Sequence, residues 1–325
     1  MENVFAIVHT SDIDGVGSAA LVKRKYGVPL SHLFFAGYSG SDAEYIEERI
    51  CRFNLKNALL VIADLGPNKE MEPAMLRIIN KVKRLEGMVF WFDHHPWNAD
   101  SVESVASLCD VAIVGENASY CGTEITMRAL GFNDQFTKEF AEIVHYSDFN
   151  IKPKRHDYYA TIGTYALSIT SYNTLRSRTQ AHSKLRHIAD VISNGKLFDA
   201  RIAGDAERFR KLNESRIKAM VKRLYIGKQI AVGFSEDIQS TAGCAAVYGS
   251  SKKDISVYIN VRNGHGHIRS MKADISLLAN SLGGGGHPHA SGFTLEDSLL
   301  KGVKTANGKE KVFRYIESKA AELYH

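Results

Sequence analysis

The chain has 325 residues, of which 44% are apolar and 24% are charged, and its formal net charge is +5. This length exceeds the usual size of a single hydrophobic core and predicts two domains. The composition excludes a disordered or fibrous chain. No apolar run reaches the roughly 18 to 20 residues that cross a bilayer, so we expect a cytoplasmic protein with neither a signal peptide nor a membrane partner.

Apolar segments and helix-like segments alternate along the first 150 residues. Apolar runs predict strands at residues 4–8, 33–37, 58–63, 88–92 and 111–114. The other segments predict helices at residues 15–25, 43–53, 69–85, 122–130 and 136–145. This βαβα order predicts an α/β fold with a doubly wound, mostly parallel sheet that helices cover on both faces.

The C-terminal part has a different pattern. Residues 205–224 predict a charged helix without breakers, and strands are predicted at 230–234, 255–261 and 265–269. Asn263-Gly264, between the last two strands, is a strong hairpin signal. With a helix at 275–282, these elements predict a smaller α/β domain. We therefore divide the chain into a first domain (1–190), a helical linker (191–224) and a second domain (225–325).

Charge is distributed unevenly between the two halves. Residues 1–150 carry 13 Lys and Arg against 21 Asp and Glu, whereas residues 151–325 carry 28 against 15. An acidic half suited to cations is thus joined to a basic half suited to a polyanion. The alternative is that most of these charges lie on solvated helix faces.

The four cysteines are scattered along the chain and include no C-x-x-C pair. This spacing argues against a disulfide framework and against a structural zinc site. We expect reduced thiols at Cys51, Cys109, Cys121 and Cys244.

Carboxylates and imidazoles follow the predicted strands at the points where the strands end, and one more carboxylate lies at a helix end. The candidate metal ligands are His9, Asp12, Asp14, Asp64, His94 and Asp148. Because the carboxyl ends of parallel strands line the ligand crevice of an open α/β sheet, we expect these side chains to converge. The set suits two metal ions that share a bridging carboxylate, an arrangement that catalyses in-line displacement at phosphorus. The absence of thiolates favours Mn²⁺ and allows Mg²⁺, Co²⁺ or Zn²⁺.

Residues 151–190 mix seven Lys and Arg with four tyrosines. Such a mixture could bind backbone phosphates and stack bases. A helical segment that closes the first domain explains the same residues almost as well.

A run of four glycines, Gly283 to Gly286, precedes His287. Successive glycines carry a large entropic cost, which makes sense where backbone N–H groups must approach an anion closely. A plain loop is the alternative interpretation.

Together these motifs resemble the DHH phosphoesterase superfamily, which is named for the triplet found here as Asp93-His94-His95. The glycine run ending in His287, preceded by Arg269-Ser270 and a short helix, resembles the GGGH signature of the family's C-terminal DHH-associated domain. The resemblance covers nearly the whole chain. It implies an active site in the cleft between the two domains.

The resemblance also implies roles for individual residues. His9, Asp12 and Asp64 would hold one metal, and Asp14, Asp64, His94 and Asp148 would hold the other, with Asp64 as the bridge. His95 would face the substrate phosphate, and Asp93 would orient a neighbouring imidazole. The second domain would bind substrate through Arg269, Ser270, Gly284, Gly285, Gly286 and His287. Many relatives place three residues between the first His and the first Asp, whereas two separate His9 from Asp12.

The resemblance and the basic C-terminal half favour a two-metal phosphodiesterase that releases mononucleotides from single-stranded or short oligonucleotides, RNA or DNA. Alternatives are a cyclic-dinucleotide phosphodiesterase and a 3′-phosphoadenosine 5′-phosphate phosphatase. Family II inorganic pyrophosphatases share the metal half but lack the GGGH run. A non-catalytic nucleic-acid-binding protein is an alternative of another class, although no ligand position is missing here. A homodimer is left open.

Overall fold

In a computed structural model of the protein, the described residues are 3–97, 99–115, 119–171 and 177–324. The chain forms two compact units, Met1–Ala206 and Glu207–His325. The division falls inside a helix, α9 (Ala200–Met220). This position lies within the segment 191–224, for which the sequence predicts a linker.

The first unit contains a five-stranded sheet with the strand order β2-β1-β3-β4-β5, and every neighbouring pair is parallel. The strands are β1 (Val4–His9), β2 (Leu33–Ala36), β3 (Leu59–Ala63), β4 (Met88–Asp93) and β5 (Val111–Val114). The helices are α1 (Ile13–Tyr26), α2 (Gly40–Ile50), α3 (Glu72–Arg84), α4 (Ala99–Ser104), α5 (Gly122–Ala129), α6 (Gln135–Asp148), α7 (His156–Thr170) and α8 (Arg178–Ser193). The predicted α/β class with a parallel sheet is confirmed.

The central strands are buried on both faces because almost every residue in them is apolar. In β1, Phe5 and Ile7 pack into one hydrophobic core with residues of α2 and α3. Ala6 and Val8 point to the opposite face, into a second core with α1 and α8. A sheet covered in this way leaves no face for polar side chains. They therefore collect where the strands end.

The second unit contains a mixed sheet with the order β10-β11-β9-β8-β7-β6, in which β7 and β8 are parallel and the other pairs are antiparallel. The strands are β6 (Tyr225–Ile226), β7 (Ile230–Ser235), β8 (Ile255–Asn260), β9 (His265–Arg269), β10 (Gly285–His287) and β11 (Ala290–Thr294). After α9, the helices are α10 (Ser240–Ser251), α11 (Ser276–Ser281), α12 (Asp297–Leu300) and α13 (Ala306–Leu323).

Sequence analysis missed α10, whose sequence STAGCAAVYGSS is rich in small and polar residues that weaken a helix signal. Tertiary packing favours the helix instead. A Cβ atom added to Gly243 would lie 2.9 Å from Cγ of the buried Tyr258 in β8, so the helix approaches the sheet closely at this glycine. The small residues that weaken the helix signal in the sequence also allow α10 to pack closely against the sheet.

The cysteines are all free thiols, as expected. Burial raises the pKa of the Cys244 thiol to about 11, so this sulfur is unreactive near neutral pH. Within the described ranges, no helix is both long enough and apolar enough to cross a membrane.

The buried His182 on α8 predicts a pH dependence of stability. Its ring packs edge-on against Phe35 and Tyr45. Burial, and to a lesser extent the charges of Arg186 and Arg178, lower the pKa of His182 to about 4. The unfolded chain, with a pKa near 6.5, therefore binds a proton more readily than the folded chain. The stabilisation is complete above about pH 6.5 and is lost as the pH falls toward 4.

Between pH 7 and pH 5, we expect the free energy of unfolding to fall by about 2 kcal/mol more in the parent than in His182→Leu. Urea unfolding at both pH values, with a chelator present, measures this difference. His156→Gln is the matched control because His156 is exposed. An identical pH dependence in the parent and in His182→Leu would contradict the burial argument.

Candidate metal centre

The turn after β1 supplies the first two candidate ligands. His9 is the last residue of β1, and Asp12 is the N-cap of α1, where its Oδ1 accepts hydrogen bonds from the backbone N–H groups of Asp14 (3.1 Å) and Gly15 (3.3 Å). Asp12 Oδ2 then lies 3.3 Å from His9 Nδ1. A Cβ atom on Gly15 would be 2.1 Å from the His9 carbonyl oxygen, so this turn requires glycine.

Asp14, in the first turn of α1, is buried against the beginning of α5. Its two carboxylate oxygens accept hydrogen bonds from the backbone N–H groups of Gly122 (2.7 Å) and Thr123 (2.6 Å). The Thr123 hydroxyl also donates to the Asp14 carbonyl oxygen (2.8 Å). The first N–H groups of a helix have no acceptor within the helix, and they carry the positive end of the helix dipole. Both features stabilise a carboxylate at this position. Asp14 is therefore held in one orientation.

Asp64 follows β3 and lies between the imidazoles of two neighbouring strand ends. Its Oδ2 is 3.7 Å from His9 Nδ1, and its Oδ1 is 3.4 Å from His94 Nε2. The residue is buried and has a left-handed backbone, with φ at +52°. Such a conformation is uncommon for a residue other than glycine and persists only where the surroundings enforce it.

His94 connects Asp64 to the remaining two carboxylates. Its Nε2 lies 3.8 Å from Asp14 Oδ2 and 3.7 Å from Asp148 Oδ2. Asp148 is the last residue of α6, in agreement with its predicted place at a helix end. The structure thus brings all six predicted ligands together at one edge of the parallel sheet.

The donor atoms fall into groups that fit metal binding. Potential ligand atoms lie within 4.8 Å of one another in each of three groups: His9 with Asp12 and Asp64, Asp14 with His94 and Asp148, and Asp64 with His94 and His95. Asp64 and Asp148 each have one buried oxygen, Oδ2, that accepts no hydrogen bond from the described residues. A buried carboxylate oxygen without a donor is costly unless a cation lies beside it.

The electrostatics of the cluster support the same conclusion. Burial, followed by repulsion from Asp14, raises the pKa values of Asp64 and Asp148 well above the ordinary range. Burial alone would lower the pKa of His9. Asp12 and Asp64 outweigh burial, and the pKa lies well above its usual value. Without a cation, the cluster therefore holds extra protons. Divalent ions would remove this repulsion, and imidazole with carboxylate suits Mn²⁺.

Asp93, the last residue of β4, binds two side chains that follow it. Its Oδ1 accepts a hydrogen bond from His95 Nδ1 (2.8 Å), and its Oδ2 accepts one from Trp97 Nε1 (2.7 Å). Burial opposes ionisation of Asp93, but the His95 charge and the two hydrogen bonds lower its pKa overall. Asp93 therefore fixes the His95 ring with Nδ1 as the donor.

The second unit contains the predicted substrate-binding residues on and around β9 and β10. Arg269 Nη1 donates to the Ile268 carbonyl oxygen (2.9 Å), while its buried Nε has no hydrogen-bond partner among the described residues. Ser270 is engaged within its own turn, since Oγ donates to Asp254 Oδ2 (2.5 Å) and accepts from the Ala273 N–H (2.8 Å). Arg269 is thus the better-placed donor for a ligand.

The glycine run has a steric explanation in the β10–β11 hairpin. A Cβ atom on Gly284 would lie 2.0 Å from the Gly292 carbonyl oxygen. Gly286 has φ at +136°, and its Cβ atom would lie 2.8 Å from the Ala290 carbonyl oxygen. Gly285 and His287 pair with residues of β11. The hairpin alone therefore accounts for Gly284 and Gly286, whether or not an anion also binds there.

Sequence analysis missed several neighbours of the ligands. Trp97 donates a hydrogen bond to Asp93, and Thr123 donates one to Asp14. Gly122 lies close to Asp64. The centroid of the Tyr38 ring is 5.1 Å from that of His9 and 6.2 Å from that of His95. None of them has a motif of its own. The Asp-x-His-x-Trp spacing at residues 93–97 is the one local signal that could have identified Trp97.

No protein-family model and no curated protein matches the sequence. The structure, in contrast, is similar to several solved structures. A pGpG-specific phosphodiesterase, PggH from Vibrio cholerae, is 13% identical with a TM-score of 0.52, over 97% of this chain and 99% of that one. An exopolyphosphatase-related protein from Bacteroides fragilis is 14% identical with a TM-score of 0.51, over 97% and 94%. An exonuclease RecJ bound to manganese is 16% identical with a TM-score of 0.50, over 97% and 90%.

These similarities extend over nearly the whole chain, so both units share the fold of proteins that include RecJ. The α/β fold predicted from the sequence is confirmed.

The contact between Gly122 and Asp64 predicts a selective effect of a small substitution. A Cβ atom at residue 122 would lie 2.6 Å from Asp64 Cβ and 3.0 Å from its Oδ1. We expect Gly122→Ala to displace Asp64 and to weaken Mn²⁺ binding about tenfold or more, as changes beside metal ligands do.

Isothermal titration calorimetry measures this affinity. Gly163→Ala is the matched control, because Gly163 lies in helix α7 and the added methyl group would have no described atom within 4 Å apart from its chain neighbours and its own helix backbone. Equal Mn²⁺ affinity in both variants would show that the position of Asp64 does not govern metal binding.

Proposed function

We propose that the protein is a two-metal phosphodiesterase that hydrolyses single-stranded or short oligonucleotides to mononucleotides from an end. The observation that carries the proposal is the position of Asp64 between His9 and His94, with one carboxylate oxygen toward each ring. This placement suits a carboxylate shared by two ions. His9 and Asp12 would complete one site, and Asp14, His94 and Asp148 would complete the other, with Mn²⁺ as the favoured metal.

When bound, the ions supply Lewis acidity, which lowers the pKa of water and offsets negative charge on the phosphoryl oxygens. The protein's own residues hold the geometry. Asp14 is fixed by the N–H groups of α5, and Asp12 is fixed by its cap of α1. Such preorganised ligands need little rearrangement during the reaction.

His95 is proposed to contact the phosphate of the substrate. Asp93 accepts from Nδ1, which leaves the Nε2 side of the ring for the substrate. Trp97 Nε1 donates a hydrogen bond to the other oxygen of Asp93, which keeps the carboxylate from rotating. Asp93 and Trp97 are positioning residues in this proposal, whereas His95 touches the substrate.

The second unit is proposed to bind the rest of the substrate. Arg269 Nε has no hydrogen-bond partner among the described residues, and a guanidinium can hold phosphate through two hydrogen bonds. Two of the three similar structures are named for nucleotide chemistry, since one is an exonuclease and another is a phosphodiesterase specific for pGpG. A nucleotide phosphodiester is the substrate type common to those two.

A dinucleotide phosphodiesterase is the second candidate, and the contacts of the segment 151–190 favour it. Arg178 pairs with Asp42 (2.8 Å) and lies over the ring of Tyr45, rather than facing outward as an unpaired charge. Arg155 pairs with Asp157 (2.6 Å). Arg176 and Tyr172, which also support the nucleic-acid interpretation, lie outside the described residues. With these charges compensated, this segment offers less attraction to a long strand than its composition predicts.

Asp64→Asn tests the metal assignment. The amide keeps the shape but removes the charge that two ions would share, so several kcal/mol of charge stabilisation is lost. We expect hydrolysis of an oligonucleotide in Mn²⁺ to fall about a hundredfold or more. His156→Gln, an exposed change, should retain full activity. Parent-like activity of Asp64→Asn would eliminate the two-metal proposal.

Arg269→Gln tests substrate binding by the second unit. Loss of charge-assisted hydrogen bonds should raise KM about 10- to 100-fold while Mn²⁺ affinity stays the same. Arg314→Gln, on the exposed face of α13, is the control. An unchanged KM in Arg269→Gln would remove the role of this arginine.

The same assay, run with strands of two to about 12 nucleotides, distinguishes the two candidate functions. Affinity for a strand falls with salt in proportion to the number of phosphates bound, with a slope of about 0.7 per phosphate. A slope that grows with length supports an oligonucleotide substrate. A constant slope supports a dinucleotide.

A further inference from the structure

Tyr38 lies beside the candidate metal centre, on the loop between β2 and α2. Its ring centroid is 5.1 Å from that of His9 and 6.2 Å from that of His95, and the residue is 37% exposed. The ring therefore contacts His9 and His95, while part of the residue remains exposed to solvent. No sequence motif marks this tyrosine.

The loop that carries Tyr38 is held at several points. Asn68, which follows β3, donates a side-chain hydrogen bond to the Tyr38 carbonyl oxygen (2.8 Å). Asp42 accepts from the Gly37 N–H (3.1 Å) and pairs with Arg178 (2.8 Å). A side chain on a loop anchored in this way loses little additional freedom when a ligand binds.

The Tyr38 side chain can donate a hydrogen bond. A phenol is neutral at pH 7, so its O–H group is a donor. The ring contacts of Tyr38 with His9 and His95 place this side chain beside the cluster at which the proposed function puts the substrate phosphate.

We propose that the Tyr38 hydroxyl donates a hydrogen bond to the phosphate of the substrate, opposite His95. The proposal rests on the proposed function, which places a phosphate at this cluster. It adds a second donor from the first unit, on a loop that is separate in sequence from the Asp93-His94-His95 strand end. Such a donor would bind a phosphoryl oxygen without occupying a metal position.

A different role for Tyr38 is mechanical support of the His9 ring. The two roles separate in Tyr38→Phe, which keeps the ring and removes only the hydroxyl. If Tyr38 only supports His9, the Phe variant behaves as the parent. If the hydroxyl binds phosphate, the variant loses phosphate affinity and keeps metal affinity.

The test uses the whole 325-residue chain and two calorimetric titrations: Mn²⁺ into the metal-free protein, and inorganic phosphate into the Mn²⁺-loaded protein. We expect Tyr38→Phe to weaken phosphate binding about tenfold or more, as for a hydrogen bond to a charged group, with unchanged Mn²⁺ affinity. Tyr45→Phe is the matched control, because the Tyr45 ring packs under Arg49 and Arg178 on α2 and α8. It should match the parent in both titrations.

Equal phosphate affinity in the parent and Tyr38→Phe would overturn the inference. So would a joint loss of Mn²⁺ and phosphate affinity, which would indicate support of His9, and so would a Mn²⁺-loaded parent that binds no phosphate. Hydrolysis is measured in parallel. A parent that binds phosphate through Tyr38 but cleaves no oligonucleotide, dinucleotide or cyclic dinucleotide would refute the proposed function and leave the role of Tyr38 intact.

Discussion

The confinement of carboxylates that repel one another is the constraint on which the rest of the first unit depends. Asp14 and Asp64 are almost fully buried, and both lie close to His94 Nε2. Asp148 Oδ2 lies 3.7 Å from the same nitrogen. Each carboxylate alone would be costly to bury, and burial together with repulsion from Asp14 raises the pKa values of Asp64 and Asp148. The fold offsets this cost in part with helix N–H groups and imidazoles. The repulsion between the carboxylates that remains would be offset by bound divalent ions.

The parallel sheet makes this concentration of charge feasible. Because β1, β3 and β4 are neighbours, their carboxyl ends place His9, Asp64 and Asp93 on one edge while the strands themselves stay apolar. The beginning of α5 closes the cluster from the far side, with Gly122 close enough to Asp64 that a methyl group would not fit. Asp64 has a left-handed backbone at this contact. A strained residue at this point is consistent with a position fixed by function rather than by stability.

The sequence predicted the convergence of the strand-end side chains because it depends on short-range patterns. An apolar run followed by His or Asp identifies a strand end, and the topology of a parallel sheet then places those ends together. Asp148 was predicted from a helix end for the same reason. The sequence could not predict Gly122 or Tyr38, since their importance arises from contacts with residues that are distant in the chain. The glycine run was ambiguous for a related reason: β11 accounts for Gly284 and Gly286 sterically, which no local pattern reveals.

The central claim is that Asp64 bridges two metal ions, and electron paramagnetic resonance of the Mn²⁺-titrated protein tests it most directly. The account predicts two Mn²⁺ ions per chain and a spin-coupled signal at low temperature. In Asp64→Asn, that coupled signal should disappear, while mononuclear Mn²⁺ at His94, Asp14 and Asp148 could persist. A single ion per chain, or two uncoupled ions in the parent, would contradict the account.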